Sequence, residues 1–160
     1  MIKLLDILRE AKQAGPLYHF TNIESLSDIL QSGLKFVLNN STLPQHTGTY
    51  YISATRDKSG AGVIDYLSNM TEFNVRLQLD GDKISERYKV EPINIENVWM
   101  AGDKDWEKST KFPELFEERI ISKKSGYLSP VYITQIDTIV PEDEIEDEEL
   151  LDKINIVDQF

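Results

Sequence analysis

The strict alternation of apolar and polar residues over positions 73–79, FNVRLQL, is the strongest structural constraint in this chain. Successive side chains of a β-strand point to opposite faces of a sheet, so this pattern predicts a strand with one face in a hydrophobic core. Asp80-Gly81 follows directly and ends the strand, since both residues favour turns. The fold must therefore contain a sheet with apolar packing on one side.

Other segments fit around this strand. Further strands are predicted at 17–20, 50–53, 88–93, 116–122 and 136–140, and polar residues 38–49 form a loop. Ser129-Pro130 begins either another strand or one helical turn with Ser129 as N-cap. A helix-like turn is predicted over 84–88, and the segment from residue 94 to Pro113, which is rich in Trp, Asp and Lys, has no clear pattern.

Two helices are predicted near the amino terminus. Apolar residues at helical spacing between Leu4 and Ala11 indicate a short amphipathic helix that ends at Gly15. A second helix follows the first strand, with Thr21 as N-cap, Glu24 completing a capping box, and Gly33 just after the last turn.

Composition restricts the chemistry. A chain of 160 residues forms one ordinary globular domain, and the absence of Cys excludes disulfides, thiolate metal sites and a cysteine nucleophile. Two His, at 19 and 46, make no plausible zinc set, so no metal site is predicted. No apolar run is long enough to span a bilayer, and we expect a cytoplasmic protein with no membrane partner.

The negative charge is concentrated at one end. The whole chain carries a net charge of -11, and residues 142–160 hold nine acids and one Lys, or -8, which leaves -3 for residues 1–141. We therefore divide the chain into a nearly neutral domain, 1–141, and an acidic segment, 142–160. This segment is either a solvated helix carrying Ile145, Leu150 and Leu151 or a mobile tail.

Three segments together resemble the ADP-ribosyltransferase superfamily. LYHFTNIESLSDILQSGL, from residue 17, is similar to the "His-x-Thr, helix, Gly-Leu" opening of DNA-targeting ADP-ribosyltransferase toxins and tRNA 2′-phosphotransferases. EERIISKKSGYLSPVYITQIDTIV, from residue 117, is similar to the toxins' late strand with a Glu, proline turn and final strand. The first segment, with the ISATRD stretch at 52–57, also resembles small proteins of tailed phages.

This resemblance, over about residues 15–140, implies an α+β domain with split central β-sheets flanked by short helices, and NAD as cofactor. It implies that Glu118 faces the nicotinamide ribose, where a carboxylate stabilises the positive charge that develops when the glycosidic bond breaks. Alternation supports this role, because Glu118 shares a strand face with apolar Phe116 and Ile120, while Glu117 shares the other face with Arg119.

The remaining site residues also come from the resemblance. His19 is implied to bind a ribose hydroxyl, with Thr21 supporting its loop, and Tyr50 or Tyr51 to pack on nicotinamide. Ser53 or Arg56 is implied to contact ribose or pyrophosphate. We assign Glu118 and Tyr51 as catalytic, and the cofactor-binding residues are His19, Thr21, Tyr50, Ser53 and Arg56.

Two functions follow as expectations. The first is NAD-dependent transfer of ADP-ribose to a host protein or nucleic acid; a missing Ser-Thr-Ser motif and Phe116 in place of a second acid count against arginine modification. The second is a non-catalytic phage anti-defence protein of the same fold that inhibits a host toxin or defence enzyme. Its acidic segment would then occupy a basic cleft of the partner.

Overall fold

The computed structural model describes residues 15–39, 47–60, 73–92 and 117–160, and the structural statements below concern these residues. The strands are β1 Leu17–Thr21, β2 Leu34–Lys35, β3 Val37–Leu38, β4 Tyr50–Thr55, β5 Val75–Leu79, β6 Lys89–Pro92, β7 Glu117–Ser122, β8 Tyr127–Leu128, β9 Ile133–Thr138 and β10 Asn155–Ile156. The α-helices are α1 Ile23–Ser32, α2 Gly81–Ser85 and α3 Glu148–Leu151, with 3₁₀ turns at Pro130–Tyr132 and Glu142–Glu144.

The described strands form a main sheet of eight strands in the order β10-β9-β5-β1-β4-β7-β6, with β3 beside β4. A separate two-stranded sheet joins β2 and β8. The pairs of the main sheet are antiparallel except β10 and β9, which run parallel. The predicted α+β class is confirmed, because helices and strands are mixed without alternating βαβ units.

The alternation of β5 organises the core as predicted. Val75, Leu77 and Leu79 are fully buried, and they pair with core-facing residues of β1 and β9. Arg76 and Gln78 lie on the opposite face of the sheet. Arg76 is nevertheless buried, because other parts of the chain cover this second face as well.

Helix α1 forms where the sequence predicts it, but its N-cap is Asn22 rather than Thr21. The Asn22 side chain accepts a hydrogen bond from the Ser25 N–H at 2.9 Å, whereas Thr21 is the last residue of β1 and pairs with Val75. Strand pairing fixes the Thr21 backbone, so the cap moves one residue along the chain. Gly33 ends the helix as predicted, with a φ of +98° and its N–H bonded to the Ile29 carbonyl.

The acidic segment packs against the sheet. It contains a 3₁₀ turn, the four-residue helix α3 and strand β10, which pairs with β9. Ile145, Leu150 and Ile154 are buried in the same core as the residues of β5. The acids of residues 142–149 are all exposed, so the segment is held by its apolar side chains and presents its carboxylates to solvent.

The other local predictions are close to the structure. The predicted strands at 50–53, 88–93 and 136–140 are observed as β4, β6 and β9, and the turn predicted over 84–88 is observed slightly earlier as α2. Ser129-Pro130 begins a 3₁₀ turn, and the Ser129 hydroxyl accepts from the Val131 N–H at 3.3 Å. The predicted amino-terminal helix, Phe116 and most of the 38–49 loop lie outside the described residues.

Candidate functional site

Strands β1 and β4 are neighbours in the sheet that pair at a single position. β1 pairs with β5 along its whole length, but with β4 only at Tyr18 and Thr55. β4 in turn pairs with β7 over six residues and with β3 at its first two. The facing edges of β1 and β4 are therefore not joined by a regular ladder beyond Tyr18 and Thr55.

The His19 side chain bridges these two edges. Its Nδ1 lies 2.7 Å from the Ser53 carbonyl oxygen, which can only accept, so Nδ1 carries the proton and Nε2 is an acceptor. Burial lowers the pKa of His19, and the hydrogen bond to Ser53 offsets part of that effect. At neutral pH His19 is consequently an uncharged imidazole with one nitrogen able to accept from a hydroxyl.

Glu118 is the buried carboxylate of the site. It lies opposite Ala54 on β4, on the same face as Ile52 and Ile120, and it is 7% exposed. Its Oε1 accepts from Arg56 Nε at 2.7 Å, while its Oε2 is buried and has no hydrogen-bond partner in the described part of the chain. A buried carboxylate oxygen that lacks a donor is costly and calls for an explanation, and a hydroxyl donor of a ligand would supply one.

Arg56 follows the last residue of β4, which places it at the end of the strand beside Glu118. Its side chain is 25% exposed, so the ion pair joins a buried group to one that solvent reaches. The sequence pattern predicted that Glu118 sits on an apolar face, and the burial of Glu118 confirms it. The pairing of Arg56 with Glu118 joins two of the predicted site residues.

The remaining predicted site residues do not contact the ion pair of Arg56 and Glu118 in the described contacts. Tyr50 is on the Glu118 face and packs against the core, but it is four residues along β4 from Ala54, about 13 Å from the position of Glu118. Thr21 is buried at the end of β1. Ser53 contributes its backbone carbonyl to His19, whereas alternation directs its side chain to the face opposite Glu118.

Tyr51 is on this opposite face as well. The Arg119 guanidinium lies 4.1 Å from the centre of the Tyr51 ring, and Arg119 Nε donates to Glu117 Oε1 at 3.3 Å. The predicted sharing of one face by Glu117 and Arg119 is therefore confirmed. Of the two tyrosines whose orientation the sequence left open, Tyr50 is the one on the face of Glu118.

Sequence reasoning missed a second polar cluster, next to the turn that follows Arg56. Arg76 and Asp137 form an ion pair of 2.7 Å on the face opposite Glu118, and both are almost fully buried. Arg76 also donates to the Lys58 carbonyl at 2.9 Å. The only sequence signal was a charged residue within the alternating strand β5, which equally fits a solvent-facing position.

Within residues 15–39, 47–60, 73–92 and 117–160, no set of three His or acidic side chains is arranged to hold a metal ion. Nor does any helix in these ranges have the length and apolar character needed to cross a membrane. Comparison of the chain with protein-family models, with curated proteins and with solved structures gives no match.

Proposed function

We propose that this protein is an ADP-ribosyltransferase-like enzyme that uses NAD to modify a host protein or nucleic acid. The observation that carries the proposal is the state of Glu118, a buried carboxylate with one oxygen bonded to Arg56 and the other without a donor among the described residues. The resemblance of the sequence to ADP-ribosyltransferases assigns the reaction to this same residue.

Two acceptor atoms on the same face of the sheet support ribose as the ligand. Glu118 Oε2 and His19 Nε2 are both acceptors, and a ribose offers hydroxyl donors to acceptors. His19 stays uncharged because burial lowers its pKa, so it does not compete with Arg56 for the carboxylate. Glu118 and His19 would hold the ribose, and Arg56 would supply positive charge near the phosphates.

NAD supplies an ADP-ribosyl group whose bond to nicotinamide breaks with the electron pair leaving on nicotinamide. The negative charge of Glu118 stabilises the positive charge that develops on the ribose. Its Oε2 atom would also accept the proton that the acceptor hydroxyl or amine loses as the new bond forms. Arg56 holds the other carboxylate oxygen and so keeps the group oriented.

The test is incubation of the pure protein with isotope-labelled NAD and a bacterial lysate, followed by protease or nuclease digestion of the labelled product. Glu118→Gln keeps the size of the side chain but removes the charge, and should lower labelling by at least about a hundredfold. Glu117→Gln is the matched control, because the neighbouring carboxylate points to the other face. Circular dichroism of both variants checks that they are folded.

The outcomes are separable. Loss of label in Glu118→Gln alone supports the proposal, and the digestion identifies the acceptor as protein or nucleic acid. Neither label transfer nor nicotinamide release by the wild-type protein would reject the catalytic function. Equal loss in Glu117→Gln and Glu118→Gln would also reject the specific role of Glu118.

A second function, a non-catalytic inhibitor of a host toxin or defence enzyme, is favoured by the docking of the acidic segment. The exposed acids between Glu142 and Glu149 are held on the protein surface by buried Ile145 and Leu150, which makes a fixed negative surface suited to a basic cleft. Deleting 142–160 would remove core residues. The sharper test is therefore Glu142→Gln with Asp143→Asn, which should weaken capture of such a partner at low salt without unfolding the protein.

A further inference from the structure

The turn at 57–60 directly follows Arg56. Among the described residues it is held by its own side chains, by the Thr55 hydroxyl, which accepts from the Asp57 N–H at 3.1 Å, and by side chains of two other strands. Within the turn, Asp57 Oδ1 accepts from the Ser59 N–H and hydroxyl, at 3.0 and 2.7 Å, and the Gly60 N–H donates to the Asp57 carbonyl. From outside, Arg76 Nη1 donates to the Lys58 carbonyl at 2.9 Å.

The second outside anchor is Phe20. A Cβ built on Gly60 would come within 2.5 Å of the Phe20 ring, so the ring lies directly against the turn. Gly60 also has a φ of +66°, a conformation that favours glycine. Arg76 and Phe20 therefore help to hold the far end of the turn, at Lys58 and Gly60, while the Thr55 hydroxyl holds its start at Asp57.

Both anchors contact Phe160. The Phe160 and Phe20 rings meet edge to face with centres 5.5 Å apart, and the Arg76 guanidinium lies 5.1 Å from the centre of the Phe160 ring. Contacts of these two kinds each contribute attraction beyond the burial of area. One side chain from the end of the acidic segment thus touches the two residues that hold the turn.

The same segment also contributes to the orientation of Arg76. Arg76 Nε and Nη2 both donate to Asp137 Oδ2, at 3.1 and 2.7 Å. The other carboxylate oxygen, Oδ1, accepts from Gln135 at 2.9 Å and from Asn155 of β10 at 3.4 Å. Residues 155–160 therefore contact the residues that hold the turn in two ways. Asn155 donates to Asp137, which binds Arg76, and the Phe160 ring packs on Arg76 and Phe20.

We infer that residues 155–160 position Arg56 against Glu118, with Arg76 and Phe160 as positioning residues. The inference rests on the proposed function in taking Glu118 as the reacting group, and it adds regulation of that site. Loss of the contacts of residues 155–160 would weaken the support of the turn. The ion pair at the site then opens more often.

The experiment measures hydrogen exchange of the Arg56 Nε–H by NMR, in the full chain and without NAD. Phe160→Ala removes the ring from both anchors and should speed exchange at Arg56 by about fivefold or more. Ile156→Ala is the matched control, because this residue lies in the same segment and its side chain is 45% exposed. Phe160→Tyr keeps the ring and should restore slow exchange.

Amides of β5 report opening of the whole domain in the same spectra. Faster exchange at Arg56 with unchanged β5 amides supports positioning by Phe160. Unchanged exchange at Arg56 overturns the inference, because Phe160 then does not support the ion pair. Equal acceleration at Arg56 and at the β5 amides also overturns it, because the substitution then destabilises the whole domain. The exchange measurement does not depend on catalysis. If the protein does not consume NAD, the proposed function is rejected, but the exchange rates still decide whether Phe160 positions Arg56.

Discussion

Asp137 provides the most demanding test of how the second face of the sheet is held together. It is 2% exposed, and its four hydrogen-bonding partners in the described part of the chain are all donors: Nε and Nη2 of Arg76, the Gln135 amide and the Asn155 amide. Asp137→Asn has nearly the same shape but only one acceptor oxygen. Whichever way the new amide is turned, its NH₂ group faces donors, and Arg76 is left buried without a countercharge.

The size of the effect follows from burial. Removing one partner of a buried ion pair costs about 3–5 kcal/mol, because the remaining charge is neither paired nor solvated. A domain of this size is typically stable by about 5–15 kcal/mol, so Asp137→Asn should leave the protein folded with much reduced stability or partly unfolded. Replacing both groups, by Arg76→Met with Asp137→Leu, should cost less than the single change.

Urea unfolding followed by circular dichroism measures these differences. Lys89→Gln serves as the control, since Lys89 pairs with Glu91 at 2.9 Å but its side chain is 72% exposed, and the loss should stay within about 0.5 kcal/mol. A cost below about 1 kcal/mol for Asp137→Asn would refute the reasoning. It would mean that the pair is solvated or that the second face does not close as described.

The same group predicts an acid dependence. Burial alone would raise the pKa of Asp137, but hydrogen bonds from Gln135, Arg76 and Asn155 and the charge of Arg76 lower it overall. A depressed carboxyl pKa gives stability that is complete above the unfolded value of about 3.9 and is lost as the pH falls through the folded value. Unfolding measured from pH 5 downward should show this loss in the wild type and less of it in Asp137→Asn.

Three further predictions concern single positions. Asn22→Ala should lower the free energy of unfolding, measured in urea, by about 1 kcal/mol, because it removes the N-cap of α1. An unchanged free energy would mean that a different residue caps the helix. Gly33→Ala should lower the melting temperature far more than Gly48→Ala. Both glycines have a positive φ, but of the two only Gly33 is so close to backbone that an added Cβ would lie 2.0 Å from the Leu128 carbonyl oxygen. Equal effects of the two substitutions would refute this clash. Burial lowers the pKa of His19, so the free energy of unfolding should fall as the pH drops below about 6.5, the pKa of an unfolded His. In His19→Gln the difference between the free energies of unfolding at about pH 7 and about pH 5.5 should be smaller.

Local patterns predicted most of the regular elements. The alternation at 73–79 gave β5 and its buried face, and the glycine after the second helix gave the end of α1. Alternation also placed Glu118 on an apolar face, which the structure confirms. These features depend on neighbours in the chain, so the residue types alone carry the information.

The position of the helix cap shows where local reasoning ends. Thr21 and Asn22 are both good N-cap residues, and sequence alone favoured Thr21 because Glu24 completes a capping box with it. The structure uses Thr21 in β1, where it pairs with Val75, a residue 54 positions away. A distant strand thus decided between two locally adequate choices.

Sequence by itself determined that the chain builds a sheet with one strongly apolar face, that α1 follows the first strand, and that Glu118 shares a strand face with Ile120. Tertiary structure alone decided the contacts that define the site. Arg56 meets Glu118 across 62 positions, Arg76 meets Asp137 across 61, and the acidic segment packs onto the sheet. No local pattern encodes such pairs, because charged residues in a strand look the same whether solvent or a distant partner faces them.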